Sequence, residues 1–137
     1  MHADESNKSL SYTLPKKERL CNKASIAALF ETGNSKTFFP IKVFFKPSSA
    51  DAAPIQMMIS VPKRNFKKAV DRNLIKRRIR EGYRLNKHIL HEAVNAKGTK
   101  LALAFIYIGK EIIPVSKLEE KIVLSLQYIA LDNEKAI

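Results

Sequence analysis

Acidic residues are scarce in this chain: 13 Asp and Glu stand against 25 Lys and Arg in 137 residues, a formal net charge of +12. The acids are scattered, and protein-based magnesium catalysis of phosphodiester cleavage needs two or more that converge. A catalytic carboxylate centre is therefore not expected. Glycine is scarce too, with four in all, and the sequence holds neither a glycine-rich phosphate loop nor a nucleophile elbow. A single cysteine, Cys21, excludes an internal disulfide and suits a reducing cytoplasm. Close to a helix start, it reads as an inert thiol. The longest apolar run, Leu101 to Ile108, is far too short to cross a bilayer. The opening residues, MHADESNKSLSYTLPKKERL, contain acids and no apolar block, so a secretory signal is not expected. The length and the 45% of apolar residues fit one domain with a single core, expected in the cytoplasm.

What the chain has in abundance is concentrated positive charge. Between Lys63 and Lys87, KRNFKKAVDRNLIKRRIREGYRLNK, eleven basic residues face only Asp71 and Glu81. The resulting +9 is three quarters of the net charge, held in less than a fifth of the chain. Charge so concentrated repels itself and calls for a neutralising anion, of which a nucleic-acid backbone is the leading candidate. On a helical wheel, Arg72, Asn73, Lys76, Arg77, Arg80 and Arg84 fall in one arc about 140° wide. Ile75, Ile79, Gly82, Ile89 and Ala93 gather opposite, with Leu90 at the border. A merely solvated helix face interleaves Glu and Lys at four-residue spacing, whereas this arc contains no acid. The planar guanidinium fork matches phosphate oxygens, and Asn73 is an amide able to read a sugar hydroxyl, a base edge or a hydrated metal.

The rest of the chain reads as a single α/β domain without internal repeats. Residues 1–14 are expected to be loose, 15–131 to form the domain and 132–137 to be a tail. Helical spacing of Ile26, Leu29 and Phe30 predicts a helix over Lys23 to Glu31, stopped at Gly33. Phe38 to Lys46 and Ile55 to Val61 read as strands, paired as an antiparallel hairpin across a loop from Ser48 to Pro54. Pro62 forbids a central strand from continuing. The basic helix is expected from about Lys68 to Val94, ending at a turn over Asn95–Gly98. Lys100 to Ile108 reads as a strand buried on both faces. Ser116 and Glu119 suggest a capping box for a last amphipathic helix marked by Leu118, Ile122, Leu126 and Ile129. The order αββαβα gives an α-β sandwich with a small mixed central sheet and a βαβ crossover.

Within this order, AVDRNLIKRRIRE followed by Gly82-Tyr83-Arg84 closely resembles the arginine-rich signature of the bacterial ribonuclease P protein subunit. ISVPKR ahead of it resembles that family's strand end, and IAALFETG its first-helix segment. The resemblance spans roughly Leu14 to Leu131 and is sharpest over Ile59 to Arg84. One departure is Lys67, where many members carry glycine, with one extra residue in the preceding loop. The resemblance implies a small basic protein bound to a large catalytic RNA. That holoenzyme removes the 5′ leader from precursor tRNA, with hydrolysis performed by magnesium ions held mainly by the RNA and none bound by the protein alone. The protein is expected to broaden the substrate range, and the family's crossover is left-handed, which is rare. The partners implied are the catalytic RNA, contacted by Arg72, Asn73, Lys76, Arg77, Arg80 and Arg84, and precursor tRNA. No membrane, DNA or obligate protein partner is expected.

The same resemblance implies a cleft between the first helix and the sheet that holds the single-stranded leader. Alternation along the strand around Ile41 puts Ile41, Val43 and Phe45 on one face and Lys42, Phe44 and Lys46 on the other. A Lys-Phe-Lys face is a workable platform for stacked bases flanked by phosphates, and stacking tolerates any sequence. Ile26 and Phe30 resemble the family's leader-facing pair, and Lys63 and Arg64 its cleft-rim cations; core packing and a solvated loop are the competing roles. His88 and His91, three apart, lack the Cys, Asp or Glu set that would complete a metal site and read as surface or RNA-adjacent histidines. Met57 and Met58 read as strand packing. A ribosomal-type or chaperone RNA binder is the alternative, set apart by the spacing of RN, KR and RE behind VPKR. A double-stranded DNA reader is disfavoured, because a recognition helix belongs to an all-helical or dimeric unit.

Overall fold

The amide of Ser25 needs a partner at the start of the first helix, and Asn22 supplies one: its Oδ1 accepts that N–H at 2.9 Å. From this cap α1 runs over Lys23–Thr32. It stops where Gly33 turns extended while its N–H still bonds Leu29 O. A Cβ on Gly33 would lie 2.4 Å from that carbonyl, so glycine is needed here for close approach. The computed structural model describes residues 16–48 and 53–135. The expected loose segment 1–14 and part of the 48–54 loop lie outside them. A short 3₁₀ turn, Lys16–Glu18, precedes α1. Then follow β1 (Asn34–Phe38), β2 (Ile41–Pro47), β3 (Ile55–Ser60), α2 (Ala69–Asn86), α3 (His88–Lys97), β4 (Leu101–Tyr107) and α4 (Val115–Lys135).

The four strands form one mixed sheet in the order β1-β2-β4-β3. The expected hairpin between β2 and β3 does not form, because β4 lies between them, antiparallel to β2 and parallel to β3. Its own residues explain the position: Leu101 to Phe105 are buried throughout, so the strand needs neighbours at both edges and cover on both faces. β2 instead pairs with β1, joined through Phe39 and Pro40, so the single strand expected over Phe38 to Lys46 is broken there. Proline has no N–H to give a ladder; Pro40 contributes its carbonyl, accepting from Ile108 N at 2.7 Å. The expected βαβ crossover is present as β3–α2–α3–β4.

The helix expected from Lys68 to Val94 is two helices that meet at Lys87. Asn86 donates its side-chain amide to Gly82 O at 2.8 Å, competing for the carbonyl one turn back, and Leu90 N and His91 N both start afresh on Lys87 O. At the junction, Lys87 Nζ lies 3.1 Å from Glu18 in a largely buried ion pair. Gly98, in the left-handed region at φ 65°, ends α3. The capping box is displaced as well. α4 begins at Val115, with Leu118 N bonded to Pro114 O, so Ser116 lies inside the first turn. Glu119 instead accepts a hydrogen bond from Asn86. α4 also continues past 131 to Lys135, and Asn133 is buried, bonded to Ala93 O and Thr99 Oγ1.

The two faces of the sheet differ in cover. One carries Ile41, Val43, Phe45, Leu103, Phe105 and Met57 against Ile75, Ile79, Tyr83, Leu90, Leu118, Ile122, Leu126 and Ile129 from α2, α3 and α4. Each such side chain contributes roughly 1.5–3 kcal/mol by leaving water. The other face has only a small cluster under α1, with Leu20, Leu29, Ala102 and Ala104 buried and Ile26, Phe44 and Met58 partly so. One helix cannot cover four strands. An open strip of sheet remains beside it.

Candidate nucleic-acid interface

Helix α2 is packed on one side and bare on the other, as the wheel predicts. Ile75, Ile79 and Tyr83 are at most 1% exposed. Asn73, Arg77 and Arg80 stand in solvent, and Lys76, Arg72 and Arg84 are half-buried. Gly82 lets the helix approach α4: a Cβ there would meet Ile122 Cδ1 at 2.6 Å. The arc is not uniform, however. Arg84 pairs with Glu81 one turn back, and this hydrogen bond holds the Glu81 carboxyl below its ordinary range. An exposed pair of this kind contributes about 0.2–1 kcal/mol, small enough for a phosphate to compete. Arg72 turns toward the preceding loop, donating to Phe66 O at 2.7 Å and Lys67 O at 3.0 Å. Thus Asn73, Arg77 and Arg80 are the open members of the arc.

A second constellation lies where α1 crosses the sparsely covered sheet face. The rings of Phe30 and Phe44 meet edge to face with centroids 4.8 Å apart, and Phe30 is 38% exposed. Lys42 Nζ stands 5.2 Å above the Phe44 ring. Lys46 donates to Thr32 Oγ1 at the end of α1. Ile26, one turn before Phe30, packs on the cluster beneath. Five of the expected leader residues are therefore brought together. Lys63 and Arg64 are exposed on the loop after β3. Register shows how the sheet spans the interval: Thr37 pairs with Lys42, Lys42 with Ile106 and Ile106 with Ser60, one row on the face that carries Phe44. Thr37, Ile106 and Ser60 are additions to the candidate set. Their signal was weak, because β4 reads as apolar on both faces and only Ile106 in it is not fully buried.

His88 is exposed, but His91 is half-buried with Nε2 unpartnered, so its expected surface position holds only in part. Burial pushes its imidazole below the ordinary value, with Glu18 opposing and Lys87 adding to the shift. Met57 is buried in the core and Met58 packs on the cluster under α1, as expected. Among the described residues no three His, Cys, Asp or Glu side chains converge as metal ligands. No described helix is long and apolar enough to cross a membrane.

The Ribonuclease P family model matches residues 14–110. The ribonuclease P protein component of Porphyromonas gingivalis strain ATCC 33277 is 34% identical over 121 residues, 88% of each chain. The chain belongs to the ribonuclease P protein family. The component from Chlorobium phaeobacteroides is also 34% identical, over 106 residues covering 71% of this chain and 73% of that one. The fold agrees. The ribonuclease P protein of Thermotoga maritima superimposes with a TM-score of 0.65 at 24% identity, covering 81% of this chain and 96% of its own. That of Staphylococcus aureus gives 0.65 at 20% identity, covering 82% and 94%. Membership in the ribonuclease P family places the chain in an RNA-processing ribonucleoprotein with a role in tRNA maturation, and so gives it an RNA partner.

Proposed function

We propose that the open face of α2 binds the catalytic RNA of ribonuclease P while the cleft between α1 and the sheet holds the single-stranded 5′ leader of precursor tRNA. The observation that carries this reading is a single helix with Arg77 and Arg80 bare on one side and Ile75 and Ile79 sealed on the other. Such a helix offers fixed guanidinium groups to phosphates without disturbing its own core. In the cleft, Phe30 and Phe44 supply ring faces and edges, and Lys42 and Lys46 supply charge. Bases of any sequence can stack there while the cations follow the backbone. Such sequence tolerance would widen the range of precursors accepted. The magnesium is assigned to the RNA subunit, where it would supply Lewis acidity for phosphodiester hydrolysis. The protein's part is to bind and align.

The paired aromatics favour this reading over a ribosomal-type or chaperone binder, whose affinity needs only the charged helix. A cleavage assay tests it. The purified chain and a bacterial ribonuclease P RNA, mixed at low magnesium, are expected to remove the leader from precursor tRNA when neither does so alone. Equal cleavage with and without the chain would contradict it.

A further inference from the structure

The loop over 62–68 connects the two proposed binding surfaces, leaving the end of β3 with Lys63 and Arg64 and delivering the chain to α2. At the helix it lacks the usual support: Lys68 is the N-cap residue and its side chain makes no capping bond. Within the loop the Asn65 N–H bonds Pro62 O at 3.2 Å, and two further contacts tie it to the rest of the molecule. Phe66 is 7% exposed and packs its ring on Tyr107, with centroids 5.8 Å apart. Arg72, in the first turn of α2, reaches back so that one terminal guanidinium nitrogen donates to Phe66 O and Lys67 O. Two consecutive carbonyls held by one charged nitrogen fix the peptide between them, and hydrogen bonds from a charged donor are the stronger kind. Lysine would keep the charge and lose the planar, longer-reaching donor group.

We infer that Arg72 is a positioning residue: it latches the 62–68 loop and thereby sets Lys63 and Arg64 for the leader, a role distinct from the phosphate contacts of Arg77 and Arg80. The inference rests on the leader reading given above. It also accounts for an arginine that lies on the basic arc yet turns its guanidinium toward its own backbone.

Arg72→Lys tests it in the full chain, both free and reconstituted with a bacterial ribonuclease P RNA. Two quantities are read: amide hydrogen exchange over 63–68 in the free chain, and the ratio of affinities for precursor with leader and mature tRNA. Arg72→Lys should speed the exchange about tenfold and lower the ratio roughly three- to tenfold. Lys63→Ala/Arg64→Ala should lower the ratio similarly, and Phe66→Leu, which loosens the other anchor with Arg72 intact, should lower it as well. Unchanged exchange in Arg72→Lys overturns the latch. An unchanged ratio with weakened binding of the RNA subunit returns Arg72 to the phosphate ligands, and an unchanged ratio in Phe66→Leu overturns the link between loop order and leader binding. If Lys63→Ala/Arg64→Ala leaves the ratio intact, the leader reading of the loop fails, and positioning fails with it, on variants that never touch Arg72.

Discussion

Arg77 and Arg80 stand in solvent on a helix whose opposite side is fully packed, so truncating either removes charge without opening the core. Arg77→Ala should weaken binding of the RNA subunit by about five- to tenfold and change stability by less than about 0.5 kcal/mol. A filter-binding titration and a denaturant melt check both; a lowered melt with intact binding would contradict the assignment. Phe44→Ala should cost about 1–3 kcal/mol of affinity for precursor with a leader and leave mature tRNA nearly unaffected. Equal losses on the two RNAs would return Phe44 to core packing with Phe30. His91 gives a pH dependence. Its folded-state pKa lies below the ordinary 6.5, so in the window just beneath 6.5 the unfolded chain takes up a proton that the folded chain refuses. Stability should fall as pH drops through that window, and His91→Gln should flatten the decline. Glu18 and Lys87, which face the imidazole, remain in the variant, so an unchanged pH profile would show that other groups set it.

At the scale of elements, the approach of α2 to α4 depends on Gly82. Gly82→Val would place a Cβ 2.6 Å from Cδ1 of Ile122, a fully buried side chain that must then shift among packed neighbours. A loss of about 2–3 kcal/mol is expected in chemical denaturation, and wild-type stability would contradict the packing described. Elements marked by apolar periodicity were legible from residues alone: α1, β4 and the start of α2 stand within a few positions of their expected limits, and α4 holds all four of the apolar residues that marked it. β1 was not, since NSKTF is nearly all polar and exposed and becomes a strand only because β2 offers it a partner edge. Strand order was also hidden. Nothing in the residues of β2 and β3 says that a later strand separates them, because pairing is a long-range choice made by what covers the sheet. The break at Lys87 was hidden as well, at a residue whose side chain pairs with Glu18, 69 residues away. In the site, alternation identified Lys42, Phe44 and Lys46 correctly as one face, whereas the inward turn of Arg72 required the path of the loop.

Over the whole molecule, charge and cover are distributed together. Three helices seal one side of the sheet, one helix half-covers the other, and the cations collect along α2 and beside the half-covered side. Arg77 and Arg80, bare and without a carboxylate partner among the described residues, are left to be neutralised by a polyanion, with release of its condensed counterions. Affinity should therefore fall linearly with salt on logarithmic axes. The most direct measurement is that slope for the RNA subunit, compared between the chain and Arg77→Ala/Arg80→Ala. A steep line is expected, with the slope reduced by about one for each phosphate that the variant no longer neutralises. A flat response, or one that the double substitution leaves unchanged, would contradict the claim that this face of α2 binds RNA.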